Sequence, residues 1–166
     1  MAKVKLHTSL GAILIELDEK ETPTTTQNFL DYVKEGYYDG TIFHRTIKGF
    51  MIQGGGFESN MVQKKARHPI RNEAKTGLKN EKGTISMART NEPHSASSQF
   101  FINVANNAFL DFKNETPDGY GYCAFGKVTD GLDIVLKISE VETTRKAGHS
   151  DVPVEEIYLL GAEIVE

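Results

Sequence analysis

Hydrophobic and polar positions alternate along this chain at two periods, and the change of period marks out the elements. Val4 and Leu6 alternate with Lys5 and His7, which predicts a half-buried first strand. Gly11 turns the chain into a more apolar second strand over 12–17. Phe29, Leu30 and Val33 then recur at helical spacing behind Thr22-Pro23, a capping residue followed by proline at the first helical position. With Gly36 as a C-terminal glycine, a helix is expected over 23–35. The run TIFHRTIKGFMIQGGGF (41–57) predicts two strands, 42–47 and 50–53, joined across Lys48-Gly49.

The next stretch, 58–82, has little periodicity and is expected to be a long functional loop. Strand character resumes over 83–89, with Ile85 and Met87 on one face. In 99–104 it splits cleanly. Phe100, Ile102 and Val104 make an apolar face, while Gln99, Phe101 and Asn103 make one too polar for core and too aromatic for plain surface. That second face predicts a binding wall. After a connector with the apolar pair Phe109-Leu110, a strand is expected over 120–128 and a helix capped by Asp130, with Leu132, Val135 and Leu136 inward. Residues 143–152 predict polar loop, and 154–165 one or two closing strands. Many strands, two helices and no regular βαβ alternation favour an antiparallel sheet closed as a barrel.

Composition narrows the function classes. The 166 residues suit one domain spanning the whole chain, and 39% hydrophobic with 25% charged fits a globular protein. No apolar run approaches the roughly 20 residues of a membrane helix. The N-terminus lacks a signal-like apolar segment, so the cytoplasm is the expected compartment. A net charge of −4 argues against general nucleic-acid binding. Lys64, Lys65, Arg67 and Arg71 cluster, but nearby Glu73 and Glu81 favour a solvated loop. The single cysteine, Cys123, excludes an internal disulfide and reads as a small buried thiol. The five histidines are scattered away from metal-ligand spacing. Gly54–Gly56 matches no nucleotide fingerprint. His94 with Ser95 or Ser97 suggests a hydrolase, without the usual nucleophile elbow.

Arg45 is the oddity, a permanent cation inside an apolar strand and, by alternation, on the face of Phe43 and Ile47. Two readings stand for it: a stem lying on the sheet with its head in water, or a cation over an apolar groove.

The motifs FHRTIKGFMIQGG (43–55), SMAR (86–89), SQFFI (98–102), FLD (109–111) and FGKV (125–128) resemble, in order and spacing, the cyclophilins. GGGFE, NEAKTGLKN and GYGYC are similar to the bacterial cytoplasmic branch. The resemblance implies a mainly β protein, a closed eight-stranded antiparallel barrel capped by two α-helices. It also implies peptidyl-prolyl cis–trans isomerase activity without cofactor or metal. Carried over by motif, Arg45 is the catalytic arginine, and Phe50, Met51, Phe101 and Leu110 form the proline pocket. Gln53 and Gln99 hydrogen-bond the peptide, and Ala88 and Arg89 lie on a segment whose backbone pairs with it. Phe109 stands where eukaryotic members often have Trp, and Tyr122 where His is common beside the pocket. Arg89 replaces the usual Asn. The implied partners are proline-containing peptides and unfolded or partly folded proteins, with cyclosporin-type macrocycles bound weakly. A monomer acting on neither nucleic acid nor membrane is expected. The alternatives are a proline-peptide binding module with incidental turnover, and the serine hydrolase.

Overall fold

The structure, a computed structural model, describes residues 2–165. The first alternation becomes β1 (Lys3–Thr8), buried at every second residue. It pairs antiparallel with β2 (Gly11–Leu17), placing Val4 opposite Ile15 and Leu6 opposite Ile13.

Helix α1 (Pro23–Lys34) follows and ends as expected. Gly36, at φ +70°, donates its N–H to Val33 O, and Tyr37 donates to Tyr32 O. Its start differs. The Thr22 hydroxyl donates to Asp18 O at 2.7 Å and caps nothing. Glu73 instead accepts the Thr25 N–H at 2.7 Å, setting a carboxylate at the positive end of the helix. That carboxylate comes from the stretch expected to be a functional loop.

The strand expected over 42–47 is interrupted at Phe43-His44, giving β3 (Thr41–Ile42) and β4 (Arg45–Ile47). Phe43 turns into the main core while Arg45 stays exposed, so the two share no face. Next comes β5 (Met51–Gly54), with Phe50 in the preceding turn rather than in the strand. The three glycines after Met51-Ile52-Gln53 are steric. A Cβ on Gly54 would lie 3.0 Å from Ile42 O, and one on Gly55 2.9 Å from the Phe100 and Tyr38 rings.

The loop is not wholly irregular, since β6 (Phe57–Glu58) and β7 (Val62–Gln63) make a small hairpin. Two of its basic residues pack at the C-terminal end of α1: Lys64 lies over Tyr37, just beyond the helix, and Arg67 lies over Tyr32 and pairs with Asp31 and Glu35. β8 (Thr84–Met87) and β9 (Phe100–Asn103) come next. β10 (Ala124–Asp130) starts four residues later than expected, because its ladder to β8 begins only where Ala124 meets Ser86. Asp130 remains in β10 opposite Leu14, and Gly131, at φ +91°, takes the N-cap of α2 (Leu132–Ser139). The polar stretch expected as loop is a hairpin, β11 (Thr143–Lys146) and β12 (His149–Pro153). Its first strand is mostly exposed, so it carries no apolar alternation to read. β13 (Tyr158–Val165) closes the chain.

Nine strands form one curled antiparallel sheet in the order β3-β13-β1-β2-β10-β8-β9-β5-β4. The expected closed eight-stranded barrel is corrected in one respect. The edge strands β3 and β4 do not pair with each other, so the curl is completed by the chain through Phe43-His44 rather than by a ladder. Counted as one interrupted strand, β3 and β4 restore the eight. Phe29, Phe100, Phe125, Ile13, Ile15 and Ile85 fill the interior, with Phe29 5.3–5.6 Å from Phe125 and Phe100. Cys123 is buried, and burial pushes its thiol up to about 12. Among the described residues, no helix is long and apolar enough to cross a membrane.

Behind β4, His44 is buried with its ring 4.4 Å from Phe57, and its Nδ1 has no hydrogen-bond partner among the described residues. Burial, then His149 and Arg45, lower its pKa to about 4. The unfolded chain takes up this proton near pH 6.5 and the folded chain only near 4, so stability is full above 6.5 and falls as pH drops through that window. His44→Phe is therefore expected to flatten the stability difference between pH 7 and 4.5, measured by urea unfolding at each pH. An unchanged difference would place the acid sensitivity elsewhere.

Candidate functional site

Strand register brings the unusual residues together. Arg45 lies opposite Gln53 in the β4–β5 ladder, and Gln53 opposite Phe101 in the β5–β9 ladder. Directly opposed residues share a sheet face, so the three form one row across three strands. The next row on that face is Ile47, Met51 and Asn103. Phe100 and Ile102 point the other way, into the main core. The predicted split of the 99–104 strand is thus a division between the inside and the outside of the barrel.

On the outside, Met51, Phe101 and Leu110 form a separate small cluster, with Ile47, Phe50, Ala88 and Tyr122 packed against it. The Tyr122 ring meets Phe101 edge-on, at 5.7 Å and 77°. Above the cluster opens a depression of about 140 Å³ lined by Arg45, Phe50, Met51, Gln53, Ala88, Arg89, Phe101, Leu110 and Tyr122. Nine of the eleven residues singled out from the sequence therefore share one cavity. Gln99 lines an adjoining depression of about 260 Å³, which shares Gln53, Ala88 and Arg89 with the first. Phe109 lines neither. It is 63% exposed and lies beside Phe50 on the rim, 5.8 Å ring to ring.

Three polar side chains run between the depressions. Arg45 Nη1 donates to Gln53 Oε1 at 3.5 Å, and Gln53 Nε2 donates to Gln99 Oε1 at 3.0 Å. That first contact is long, so the exposed guanidinium keeps nearly all its donors available. An apolar floor beside an unspent planar cation can hold an apolar ring and donate to an atom attached to it.

Asn103, expected on the binding wall, shares the Phe101 face but is fully buried. Its Nδ2 donates to Asn80 Oδ1 and Thr84 Oγ1, and its Oδ1 accepts from Asn107 Nδ2. Asn80 Nδ2 lies 3.2 Å from Leu110 O and 3.1 Å from Tyr122 O, while Asn107 Nδ2 donates to Phe50 O at 2.9 Å. This buried amide network holds three pocket residues by their backbones. The sequence signal for it was Asn103, a residue disfavoured in strands, set within an otherwise apolar run. Asn80→Ala is expected to cost about 1–3 kcal/mol or more, by stranding Tyr122 O and the buried Ser86 hydroxyl, and to slow turnover. Urea unfolding and the peptide assay described below check both. Wild-type values would show that the network does not hold the pocket.

The hydrolase reading finds no geometry. His94 Nδ1 accepts the Asn72 N–H, and Ser95 Oγ donates to Glu92 O at 2.7 Å. Among the described residues, neither Ser95 nor Ser97 hydrogen-bonds His94.

Comparison with known proteins agrees with this geometry. The family model for the cyclophilin type peptidyl-prolyl cis-trans isomerase matches residues 3–164. The chain is 54% identical over 165 residues to the peptidyl-prolyl cis-trans isomerase cyp18 of Streptomyces antibioticus, covering 99% of each. It is 53% identical to peptidyl-prolyl cis-trans isomerase B of Escherichia coli K12, covering 98% of this chain and 99% of that one. A cyclophilin type isomerase of Cryptosporidium parvum, solved in the presence of the dipeptide Ala-Pro, superposes with a TM-score of 0.81 at 29% identity, over 99% of both chains. With the fold, the motifs and the family match in agreement over nearly its whole length, this chain belongs to the cyclophilin-type peptidyl-prolyl cis–trans isomerases.

Proposed function

We propose that the depression between Arg45 and Phe101 is where this isomerase holds the Xaa-Pro bond, with Arg45 stabilising the twisted form. The supporting observation is an exposed guanidinium, with no ion pair among the described residues, in one row with Gln53 and Phe101 at the mouth of an apolar hollow. Met51, Phe101, Leu110 and Phe50 seat the proline ring, and Gln53 and Gln99 hydrogen-bond the peptide backbone. Ala88 and Arg89 flank its path, and Tyr122 closes one wall. Phe109, on the rim, adds apolar area without an indole N–H, which supports weak binding of cyclosporin-type macrocycles.

The chemistry follows from the peptide bond. Nitrogen shares its lone pair with the carbonyl, which gives a barrier of about 18–20 kcal/mol. Proline makes both isomers accessible but leaves exchange at tens to hundreds of seconds. Halfway through rotation the nitrogen pyramidalises and regains a localised lone pair. A donor aimed there binds the twisted imide better than either planar one, and only such differential binding speeds the step. Guanidinium suits the task because it is always charged, planar and rigid. Rotation breaks no covalent bond, so it needs no nucleophile.

Magnitudes limit what Arg45 does alone. A gain of about 10⁵-fold corresponds to roughly 7 kcal/mol. A charge-assisted hydrogen bond contributes about 1.5–3 kcal/mol. Clamping the proline ring and excluding water from the imide supply the remainder.

The substrates are proline-containing peptides and incompletely folded chains, a reading supported by the Cryptosporidium relative solved with Ala-Pro. The chain works as one isomerase domain, as a monomer in the cytoplasm. Exchange spectroscopy on a short Ala-Pro peptide tests the assignment. Acceleration at catalytic protein concentration is expected, whereas binding without acceleration would leave a proline-peptide binding module.

A further inference from the structure

Arg89 is the second cation of the groove, and its environment is unlike that of Arg45. Its Nε donates to Gly121 O at 2.9 Å, Nη1 to Thr90 O at 2.8 Å and Nη2 to Pro117 O at 3.2 Å. The face of the guanidinium covers the Tyr122 ring at 4.6 Å. Three carbonyls on two segments, together with an aromatic face, fix the group in one place. Carbonyls do not neutralise charge, and each terminal nitrogen keeps one N–H unspent.

The position of this charge matters because Arg89 lines both depressions. Arg45 lines the first as well, and none of the described residues lining either is acidic. Glu92, three residues beyond Arg89, and Asp118, next to its partner Pro117, line neither. A chain of net charge −4 therefore presents a substrate groove with two guanidinium groups and no carboxylate.

We infer that Arg89 is a specificity-determining residue, which makes this isomerase favour Xaa-Pro peptides carrying a carboxylate next to the Xaa-Pro pair. The inference rests on the depression around Arg45 being the substrate groove. Pre-fixing the guanidinium matters energetically: a free surface arginine gives up side-chain entropy to meet an anion, while this one is already held. Tyr122, packed between Arg89 and Phe101, is held by the same contacts, so Arg89 also positions the wall of the proline pocket.

The test separates charge from positioning. Short peptides with one Xaa-Pro bond carry Glu, Gln or Lys in turn at each residue flanking the pair, and kcat/KM is measured at low and high salt. The Glu-to-Lys ratio at one flanking position is expected to reach about two- to fivefold at low salt and to shrink as salt screens the groove. Arg89→Lys keeps the charge but not the fork, so it should slow every peptide while retaining the ratio. Arg89→Gln should reduce the ratio, and because Arg45 is present in both variants the comparison isolates residue 89. An unchanged ratio in Arg89→Gln, or no position favouring Glu, would overturn the inference. If the wild-type protein fails to accelerate even the Gln peptides, the reading of the groove itself falls, and the inference with it.

Discussion

Replacing Arg45 by alanine is expected to slow catalysed isomer exchange by about ten- to a thousandfold. The fold should survive intact. The side chain is exposed, makes one long contact to Gln53 and packs in no cluster, so its removal leaves no cavity and strands no buried partner. Thermal unfolding should stay within about 1 °C of wild type, while exchange of the Ala-Pro peptide falls. The loss should appear in kcat more than in peptide affinity, because the proposed donation is to the twisted imide and not to the planar one. Arg45→Lys should fall between the two, keeping the charge without the planar fork. Wild-type turnover by a correctly folded Arg45→Ala protein would remove Arg45 from the mechanism.

Phe101→Ala should do the opposite to stability. Phe101 is 5% exposed, packed against Met51 and Leu110 with Tyr122 edge-on. Truncating such a ring costs about 3–5 kcal/mol, which for a chain of this size lowers Tm by about 10 °C. It would also empty the floor proposed to seat the proline ring, so peptide affinity should fall with it. An unchanged Tm would show that the ring is not packed as described. Together the two variants separate chemistry from scaffold: one loses rate without stability, the other loses both.

Much of this site could be read before the fold was known. Phe43–Gly55 and Ser98–Ile102 carry Arg45, Phe50, Met51, Gln53, Gln99 and Phe101, and the alternation in 99–104 already separated core from wall. Phe109, counted with the site residues by motif, lies on the rim beside Phe50. Asn103 was assigned to the wall by parity alone, and parity names a face, not what covers it. Here the cover is supplied by Asn80 and Asn107, which share no motif with the pocket residues they hold.

The sequence by itself determined the periodic elements: β1, β2, the C-terminal end of α1, and the two faces of β9. Periodicity and glycine chemistry are local properties, decided within a turn or two of the residue concerned. Tertiary structure alone decided the rest. Glu73 caps α1 from 48 residues away, and β11 pairs into its hairpin without an apolar face of its own. β10 begins where β8 can pair with it, and the barrel seam runs through Phe43-His44. Each depends on a partner distant in sequence. A hydrogen bond or ladder made across such a distance leaves no period in either segment, because its energy belongs to the pair and appears only once the chain has brought both together.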